Sequence, residues 1–262
     1  MTLATGVIGV LHLPPLPGDP RRGTFAEARA AARRDATAYR DGGVTSLVVE
    51  NFGSAPFAKG DSASRLPPHQ VALMSVVVAE LVADGFLIGV NCLRNDAISA
   101  LGIAAATGAA FVRINVHTGA YVTDQGLIQG EAATSLRYRA ALNAAHVSIT
   151  ADILVKHASP LAPLSYPQAT EEAFDRGLAD AVIVSGEGTG KAVDLDGLAQ
   201  VRSAAGSRPV WVGSGVNATN AKSIAALADA AIVGTSVKEA GLASPVSAKR
   251  VEEIVALFVK TD

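Results

Sequence analysis

Cysteine is almost absent from this chain, and its scarcity limits the kinds of site that the chain can carry. Cys92 is the one cysteine in 262 residues, which excludes an intramolecular disulfide and any zinc or iron–sulfur site built from several cysteines. The residue ends an apolar run, where a thiol usually packs as a small hydrophobic group. Low cysteine content favours a reducing compartment, so we expect a cytoplasmic protein.

The sequence also lacks an excess of one charge and any long hydrophobic run. It has 22 Lys and Arg against 24 Asp and Glu, a net charge of −2, and its basic residues are scattered rather than clustered as in nucleic-acid-binding proteins. No stretch reaches the roughly 20 apolar residues that a transmembrane helix needs. The first apolar run has no basic residues before it and leads into prolines, unlike a signal peptide. We therefore expect neither a nucleic-acid partner nor a transmembrane segment.

The apolar residues that are present fall into short, evenly spaced runs. Hydrophobic residues make up 49% of the chain, enough for a large core, and no linker divides it, so we expect residues 1–262 to form one domain. Eight runs rich in Val and Ile have the length of strands and are bounded by turn-forming residues. They cover 6–12, 44–50, 86–92, 110–116, 147–155, 181–186, 209–215 and 230–236.

Alanine-rich stretches with helical periodicity separate these runs. Continuous apolar strands that alternate with amphipathic helices are typical of parallel sheets, because each crossover helix packs back onto the sheet. Eight such units in 262 residues predict an α/β fold, the (β/α)8 or TIM barrel. A doubly wound open sheet is the alternative, but it usually carries a glycine fingerprint after its first strand, where this chain has "HLPPLPG". The alanine-rich outer helices also favour a homo-oligomer.

Polar residues close the first five runs, at the end of the barrel where TIM-barrel enzymes hold their active sites. Strand alternation places Arg113, Asn115 and His117 on one face of the fourth run, and we predict that this face points to the barrel axis. The same alternation directs Asp152 and Lys156 to the axis from the fifth run. Several charged groups near one axis are costly to bury unless they pair or meet a ligand. The predicted catalytic residues are Glu50, Asp152 and Lys156, and the predicted substrate-binding residues are His12, Asn91, Arg113, Asn115 and His157.

More than one chemical role is open to each predicted catalytic residue. Lys156 either forms an imine with a carbonyl substrate or stabilises a substrate oxyanion as a fixed cation. Glu50 and Asp152 either transfer protons or hold a hard divalent cation. A mixed site of His12, Glu50, Asp152 and His157 is a further possibility for a metal. No cofactor is predicted, and a divalent cation stays the alternative.

Glycine marks the ends of the last three runs. Backbone N–H groups in glycine-bearing loops can approach an anion closely, and TIM-barrel enzymes often bind phosphate after the seventh and eighth strands. The loop after the sixth run, "GEGTGK", is not a Walker A loop and is expected to close over the substrate. The predicted phosphate-binding residues are Gly186, Thr189, Gly190, Gly213, Ser214, Gly215, Gly234, Thr235 and Ser236. We expect a small phosphorylated ligand.

The segments at the strand ends also carry a family resemblance. They read "GVIGVLHLPPLPG", "VENFGSAPF", "GVNCLRND", "FVRINVHTGAYVTDQG", "ADILVKH", "VSGEGTGK", "VGSGVNATN" and "IVGTSVKEAG". In this order they resemble the BtpA (BtpA/SgcQ-like) family along the whole chain. The resemblance implies a barrel of the ribulose-phosphate-binding type with a phosphate site. The founding member of the family is associated with photosystem I accumulation in cyanobacteria.

Two functional hypotheses follow from these observations. In the first, the chain is an enzyme of a sugar phosphate or a nucleotide-derived compound, and isomerisation, epimerisation, aldol cleavage and C–N cleavage all suit its charged residues. In the second, it is a non-catalytic assembly or biogenesis factor, of the photosystem I kind associated with the family. The second hypothesis leaves Glu50, Asp152 and Lys156 without a task.

Overall fold

Eight parallel strands of this chain close into a barrel. A computed structural model describes residues 3–186, 188 and 191–259, with eleven strands numbered in chain order. The barrel strands are β1 (Gly6–His12), β2 (Ser46–Glu50), β3 (Leu87–Asn91), β4 (Phe111–Ile114), β7 (Ser148–Ile153), β9 (Ala181–Val184), β10 (Val210–Val212) and β11 (Ala230–Val233). Their order around the barrel is β1-β11-β10-β9-β7-β4-β3-β2. The predicted TIM barrel is confirmed, with each predicted run containing one barrel strand.

A small antiparallel sheet lies beside the barrel and was not predicted. It consists of β5 (Ala120–Thr123), β6 (Gly126–Gln129) and β8 (Ala158–Pro160), in the order β6-β5-β8. Strands β5 and β6 form a hairpin in the connection after β4, whereas β8 belongs to the connection after β7. The sheet therefore joins the loops of two neighbouring barrel strands.

Eight α-helices surround the barrel within the described residues. They are α1 (Phe25–Asp41), α2 (Pro68–Ala83), α3 (Ala97–Thr107), α4 (Ala132–Ala141), α5 (Tyr166–Glu171), α6 (Leu195–Ala205), α7 (Ala221–Ala225) and α8 (Ala248–Leu257). Local signals fix several of their ends: Thr24 and Glu27 form a capping box at the start of α1, and Gly108, with φ of 78°, ends α3. None of the helices in the described ranges is both long and apolar enough to cross a membrane.

Strand alternation separates two apolar layers, of which the outward one was predicted for the fourth and fifth barrel strands and the inward one was not. Val112, Ile114 and Ile153 pack outward against the helices. Phe111 and Trp211 point inward and meet edge to face, with ring centroids 5.2 Å apart. These two rings belong to the apolar cluster inside the barrel. The charged groups at the strand ends therefore lie above a packed apolar core.

Tyr39 of α1 ties this helix to the barrel wall. Its side chain is fully buried, and its hydroxyl donates a hydrogen bond to the carbonyl oxygen of Val233, at 2.7 Å. We expect Tyr39→Phe to lower the free energy of unfolding by about 1 kcal/mol, because one buried hydrogen bond is lost while the ring keeps its packing. Urea denaturation checks this, and an unchanged midpoint would show that the bond contributes nothing.

Candidate active site

Two adjacent cavities lie at the carboxyl ends of the barrel strands and share four side chains. The inner cavity, of about 120 Å³, is lined by the loops after β10 and β11 together with the shared residues. The outer cavity, of about 640 Å³, extends over the loops after β1, β2 and β3. The shared side chains are His12, Glu50, Arg113 and Lys156. Four predicted site residues from four different strand ends thus meet in one place.

Arg113, which lines both cavities, forms a buried ion pair with Asp152. The Arg113 guanidinium donates to both carboxylate oxygens of Asp152 at 3.1 to 3.3 Å, and the Asn115 amide donates to the same carboxylate at 2.6 Å. Burial lowers the pKa of Arg113, but Asp152 and Glu50 outweigh it and the net shift is upward. The Asp152 side chain is 0% exposed and lines neither cavity. Its position suits a residue that orients Arg113 and Asn115.

Lys156 follows the end of β7 and reaches both cavities. Burial, and then the positive charge of Arg113, lower the pKa of its amine to about 8, although Glu50 and Asp152 act in the opposite direction. Within the described part of the chain no carboxylate forms an ion pair with its Nζ. A desolvated lysine without a close counter-ion keeps a substantial unprotonated fraction near neutral pH.

His12 and Glu50 come from neighbouring strands and are paired in register. The His12 Nε2 lies 3.8 Å from Oε1 of Glu50, and the imidazole stacks on the Phe52 ring with centroids 4.4 Å apart. Burial lowers the pKa of His12 to about 4, despite the opposing effect of Glu50. The imidazole is therefore neutral at physiological pH.

The glycine-bearing ends of β10 and β11 form the wall of the inner cavity. Both predicted triplets line it: Gly213, Ser214, Gly215, Gly234, Thr235 and Ser236. The Ser236 hydroxyl donates to the Val216 carbonyl oxygen at 2.6 Å and so fastens one loop to the other. The Ser214 hydroxyl is buried and has no hydrogen-bond partner among the described residues. Buried polar groups are normally paired, so this hydroxyl is a donor available to a ligand.

Glycine is required at these positions because neighbouring groups leave no room for a Cβ atom. At Gly213 a Cβ would lie 2.9 Å from Nη2 of Arg113, and at Gly234 it would lie 3.0 Å from Cε1 of His12. Gly215 has φ of 77°, in the left-handed region, and a Cβ there would collide with the Lys191 carbonyl. The cavity wall is thus made of backbone, which is what close contact with an anion requires.

Of the predicted residues after β9, the one that the structure describes lines neither the inner nor the outer cavity. Gly186 lines a third cavity, which it shares with Lys156 and His157, and Thr189 and Gly190 are outside the described residues. His157 borders the outer cavity, where burial and the charges of nearby cations lower its pKa.

Two further predictions about side-chain position differ from the structure: Asn91 was predicted to bind substrate, and His117 was predicted to face the barrel axis. Asn91 is fully buried and lines neither cavity, and its amide has no hydrogen-bond partner in the described chain. His117, predicted to face the axis, instead donates from Nε2 to the Gly177 carbonyl at 2.7 Å. It lies beyond the end of β4, where strand alternation no longer holds.

The four residues considered for a mixed metal site do not form one. Within the ranges that the structure describes, no three His, Cys, Asp or Glu side chains are grouped as metal ligands. Asp152 is engaged by Arg113 and Asn115, so its oxygens are already occupied.

Several cavity residues were not among the predicted site residues. Arg94, Phe52 and Phe57 line the outer cavity, as does Asp124 from the β5–β6 hairpin. Phe52 and Arg94 lie within three residues of the ends of β2 and β3. Their closeness to a strand end is the sequence feature that could have identified them. Asp124 had no such signal, because its hairpin was not recognised.

Comparisons with known proteins agree with the fold and identify the family. The model of the BtpA family matches residues 4–260. A photosystem I biogenesis protein BtpA of Synechocystis is 44% identical over 240 residues, covering 90% of this chain and 81% of its own. Thiamine phosphate pyrophosphorylase of Pyrococcus furiosus superposes with a TM-score of 0.58 at 15% identity, covering 97% of this chain and 95% of its own. Phosphoribosyl anthranilate isomerase of Thermus thermophilus gives 0.56 at 14% identity, covering 96% and 97%. The two structures share the TIM-barrel fold with this chain, and the chain belongs to the BtpA family.

Proposed function

We propose that this chain is an enzyme of a small phosphorylated metabolite, a sugar phosphate or a nucleotide-derived compound, with isomerase, epimerase or lyase chemistry. One observation carries the proposal: the Lys156 amine, with its pKa lowered to about 8, lines the same inner cavity as the glycine-bearing loops. A reactive amine and an anion-binding wall within a cavity of about 120 Å³ suit a substrate with a phosphate a few bonds from its reacting carbon.

The phosphate is proposed to lie against Gly213–Gly215 and Gly234–Ser236. Backbone N–H groups and the Ser214 hydroxyl are the donors there, and no side chain projects from the glycines to keep the anion away. The two enzymes with the same fold are both named for phosphorylated compounds, which supports a ligand of this class for the barrel.

Lys156 is proposed to attack a substrate carbonyl. With a pKa of about 8, about a tenth of the amine is unprotonated at pH 7, against well under a thousandth for an ordinary lysine. The neutral amine adds to the carbonyl carbon, and the resulting carbinolamine loses water to give an imine. A fixed cation that only stabilised an oxyanion would gain nothing from a lowered pKa, so this environment favours the nucleophile.

Glu50 is proposed to transfer the protons of this reaction. Its side chain borders the inner cavity, as does that of Lys156, and the neutral His12 lies next to it, with Nε2 at 3.8 Å from Oε1 of Glu50. Asp152 is assigned a positioning role, because Arg113 and Asn115 occupy its oxygens.

Screening for turnover and thermal stabilisation with sugar phosphates and nucleotides tests the proposal. A ligand at about 100 times its Kd should stabilise the fold by about 2.7 kcal/mol. The phosphate-free sugars are the matched controls, and equal behaviour of both sets would count against the proposed phosphate site.

Gly215→Ala is expected to weaken the binding of inorganic phosphate by about tenfold or more, since its Cβ collides with the Lys191 carbonyl and so displaces the Gly213–Gly215 backbone from the cavity wall. The left-handed backbone adds a stability cost of about 1 kcal/mol. Titration calorimetry measures the affinity. Gly85→Ala is the control, because Gly85 has φ of 88° with open space around it, and it should lose stability without losing phosphate affinity. Equal affinity in both variants would remove Gly215 from the site.

A role in assembly is the second candidate, and the name of the Synechocystis relative is the observation that favours it. Complementation of a cyanobacterial strain that lacks its own relative separates the two. If Lys156→Met restores photosystem I as well as the unchanged chain does, chemistry at Lys156 is not needed for that role. If it fails while remaining folded, the enzyme proposal gains support.

A further inference from the structure

Arg94 places a second cation across the barrel from the glycine-bearing loops. It follows β3, which lies four strands from β10 in the closed ring of eight and is therefore diametrically opposite it. Its side chain borders the outer cavity, and the residue is only 5% exposed. A ligand held at β10 and extending over the barrel axis would point its far end toward Arg94.

The Arg94 guanidinium has few partners for a buried cation. Its Nη2 donates to the Lys156 carbonyl oxygen at 2.8 Å, and in the described part of the chain no carboxylate lies within 4 Å of it. Burial lowers its pKa, whereas the charges of Asp152 and Asp124 raise it from a distance. A guanidinium carries five N–H donors, and a buried cation without a counter-ion is costly. This arrangement suits a guanidinium whose counter-ion is supplied by a bound ligand.

The charges around the outer cavity are also unbalanced. Six cationic side chains line it against three carboxylates. Arg113 is already paired with Asp152 beneath the cavity, and Arg34 and Lys238 contact the same carboxylate, Asp35, so the cations remain in excess. The cations are Arg21, Arg34, Arg94, Arg113, Lys156 and Lys238. Since the proposed phosphate lies in the inner cavity, the excess positive charge in the outer one suits a further negative group.

The described residues give the outer cavity no second set of glycine-bearing loops. Phe52, Phe57 and Leu93 line it together with Arg94, and the backbone N–H of Gly53 is already bonded to the Leu13 carbonyl oxygen. The fork of an arginine matches either a carboxylate or a phosphate. A phosphate carries more charge and more acceptor oxygens and would call for further donors, whereas one guanidinium is enough for a carboxylate.

We infer that Arg94 binds a carboxylate of the substrate, at the end remote from the phosphate, so that the substrates are phosphorylated acids. This inference rests on the proposed function and specifies its substrate class. It assigns the glycine-bearing loops and Arg94 to opposite ends of one molecule, with Lys156 between them.

Matched pairs of ligands test the inference by titration calorimetry. In each pair the acid and the alcohol differ only in the terminal carbon: 3-phosphoglycerate and glycerol 3-phosphate, 4-phosphoerythronate and erythritol 4-phosphate, 6-phosphogluconate and sorbitol 6-phosphate. We expect at least one acid to bind about tenfold or more tightly than its alcohol, since a charge-assisted bond to a buried guanidinium is strong. Arg94→Met should reduce that preference to about twofold or less, while the affinity for the alcohol stays the same. Arg94→Lys, which retains the charge without the fork, should give an intermediate preference.

The controls make each outcome decisive. Arg137→Met removes an exposed arginine that also donates to one backbone carbonyl, and it should keep the full preference. If no acid exceeds its alcohol in the unchanged chain, or if Arg94→Met folds and keeps the preference, the inference is wrong while the phosphate site stands. Tighter binding of fructose 1,6-bisphosphate than of any acid would also overturn it, in favour of a second phosphate. Failure of every probe, inorganic phosphate included, would instead overturn the proposed function.

Discussion

Lys156→Met is expected to lower kcat by about 10³-fold or more on any substrate that the chain turns over, because no other described lysine lines the inner cavity. Methionine retains the length and apolar stem of the side chain, so packing around the site should change little. Steady-state kinetics measures the loss, and Lys222→Met, an exposed substitution on α7, is the control that should leave kcat unchanged.

The route of catalysis by Lys156 can be tested directly. Sodium cyanoborohydride added during turnover should reduce an imine to a stable secondary amine on Lys156, which peptide mass spectrometry locates. In the unchanged chain kcat/KM should rise with pH up to about 8, the lowered pKa of the amine, because only the unprotonated form attacks. Turnover without an adduct would assign Lys156 the role of a fixed cation, and full activity in Lys156→Met would remove it from catalysis.

Asp152→Asn is expected to lower the free energy of unfolding by about 3–5 kcal/mol, because it leaves the buried Arg113 without its counter-ion. Asparagine has nearly the same shape, so the loss would come from charge rather than from a cavity. Chemical denaturation measures it. Asp175→Asn breaks an ion pair whose carboxylate is 61% exposed and should cost less than about 1 kcal/mol.

A double variant separates the positioning role of Asp152 from the proton-transfer role that the sequence suggested. Arg113→Met combined with Asp152→Asn removes both charges, and it should recover a large part of the stability lost in Asp152→Asn alone. If Asp152→Asn instead retains full stability and abolishes turnover, Asp152 acts on the substrate itself. The pair would then have to open during the reaction.

The barrel could be predicted from the sequence because its signal is local and repeated. The first run was predicted at 6–12 and β1 spans Gly6–His12, since a continuous apolar run ends there at a polar residue. The later runs were predicted too long at one or both ends. The residues next to these strands continue the strand pattern in the sequence but belong to loops in the structure, as Gly213 does after β10 and Gly234 does after β11.

The contacts between distant segments could not be predicted in the same way. Strand β8 has three residues and pairs with β5, more than 30 positions earlier, so neither its length nor its pattern distinguishes it from a loop. Asp152 and Glu50 are equivalent in the sequence, as carboxylates at strand ends. Only the positions of Arg113 and Asn115, which enclose the first and leave the second beside the cavity, give them different roles.

The sheet beside the barrel constrains how this chain can change in evolution. Thr123 pairs with Ala158, so the ladder reaches the backbone next to Asp124 on one side and next to His157 on the other. An insertion or deletion within either paired strand would change its register against the other, close to His157 and the adjacent Lys156. Length changes in these two loops are therefore coupled, whereas the connection between β2 and α2 has no strand partner among the described residues and is held instead by contacts such as that of Phe52 with His12.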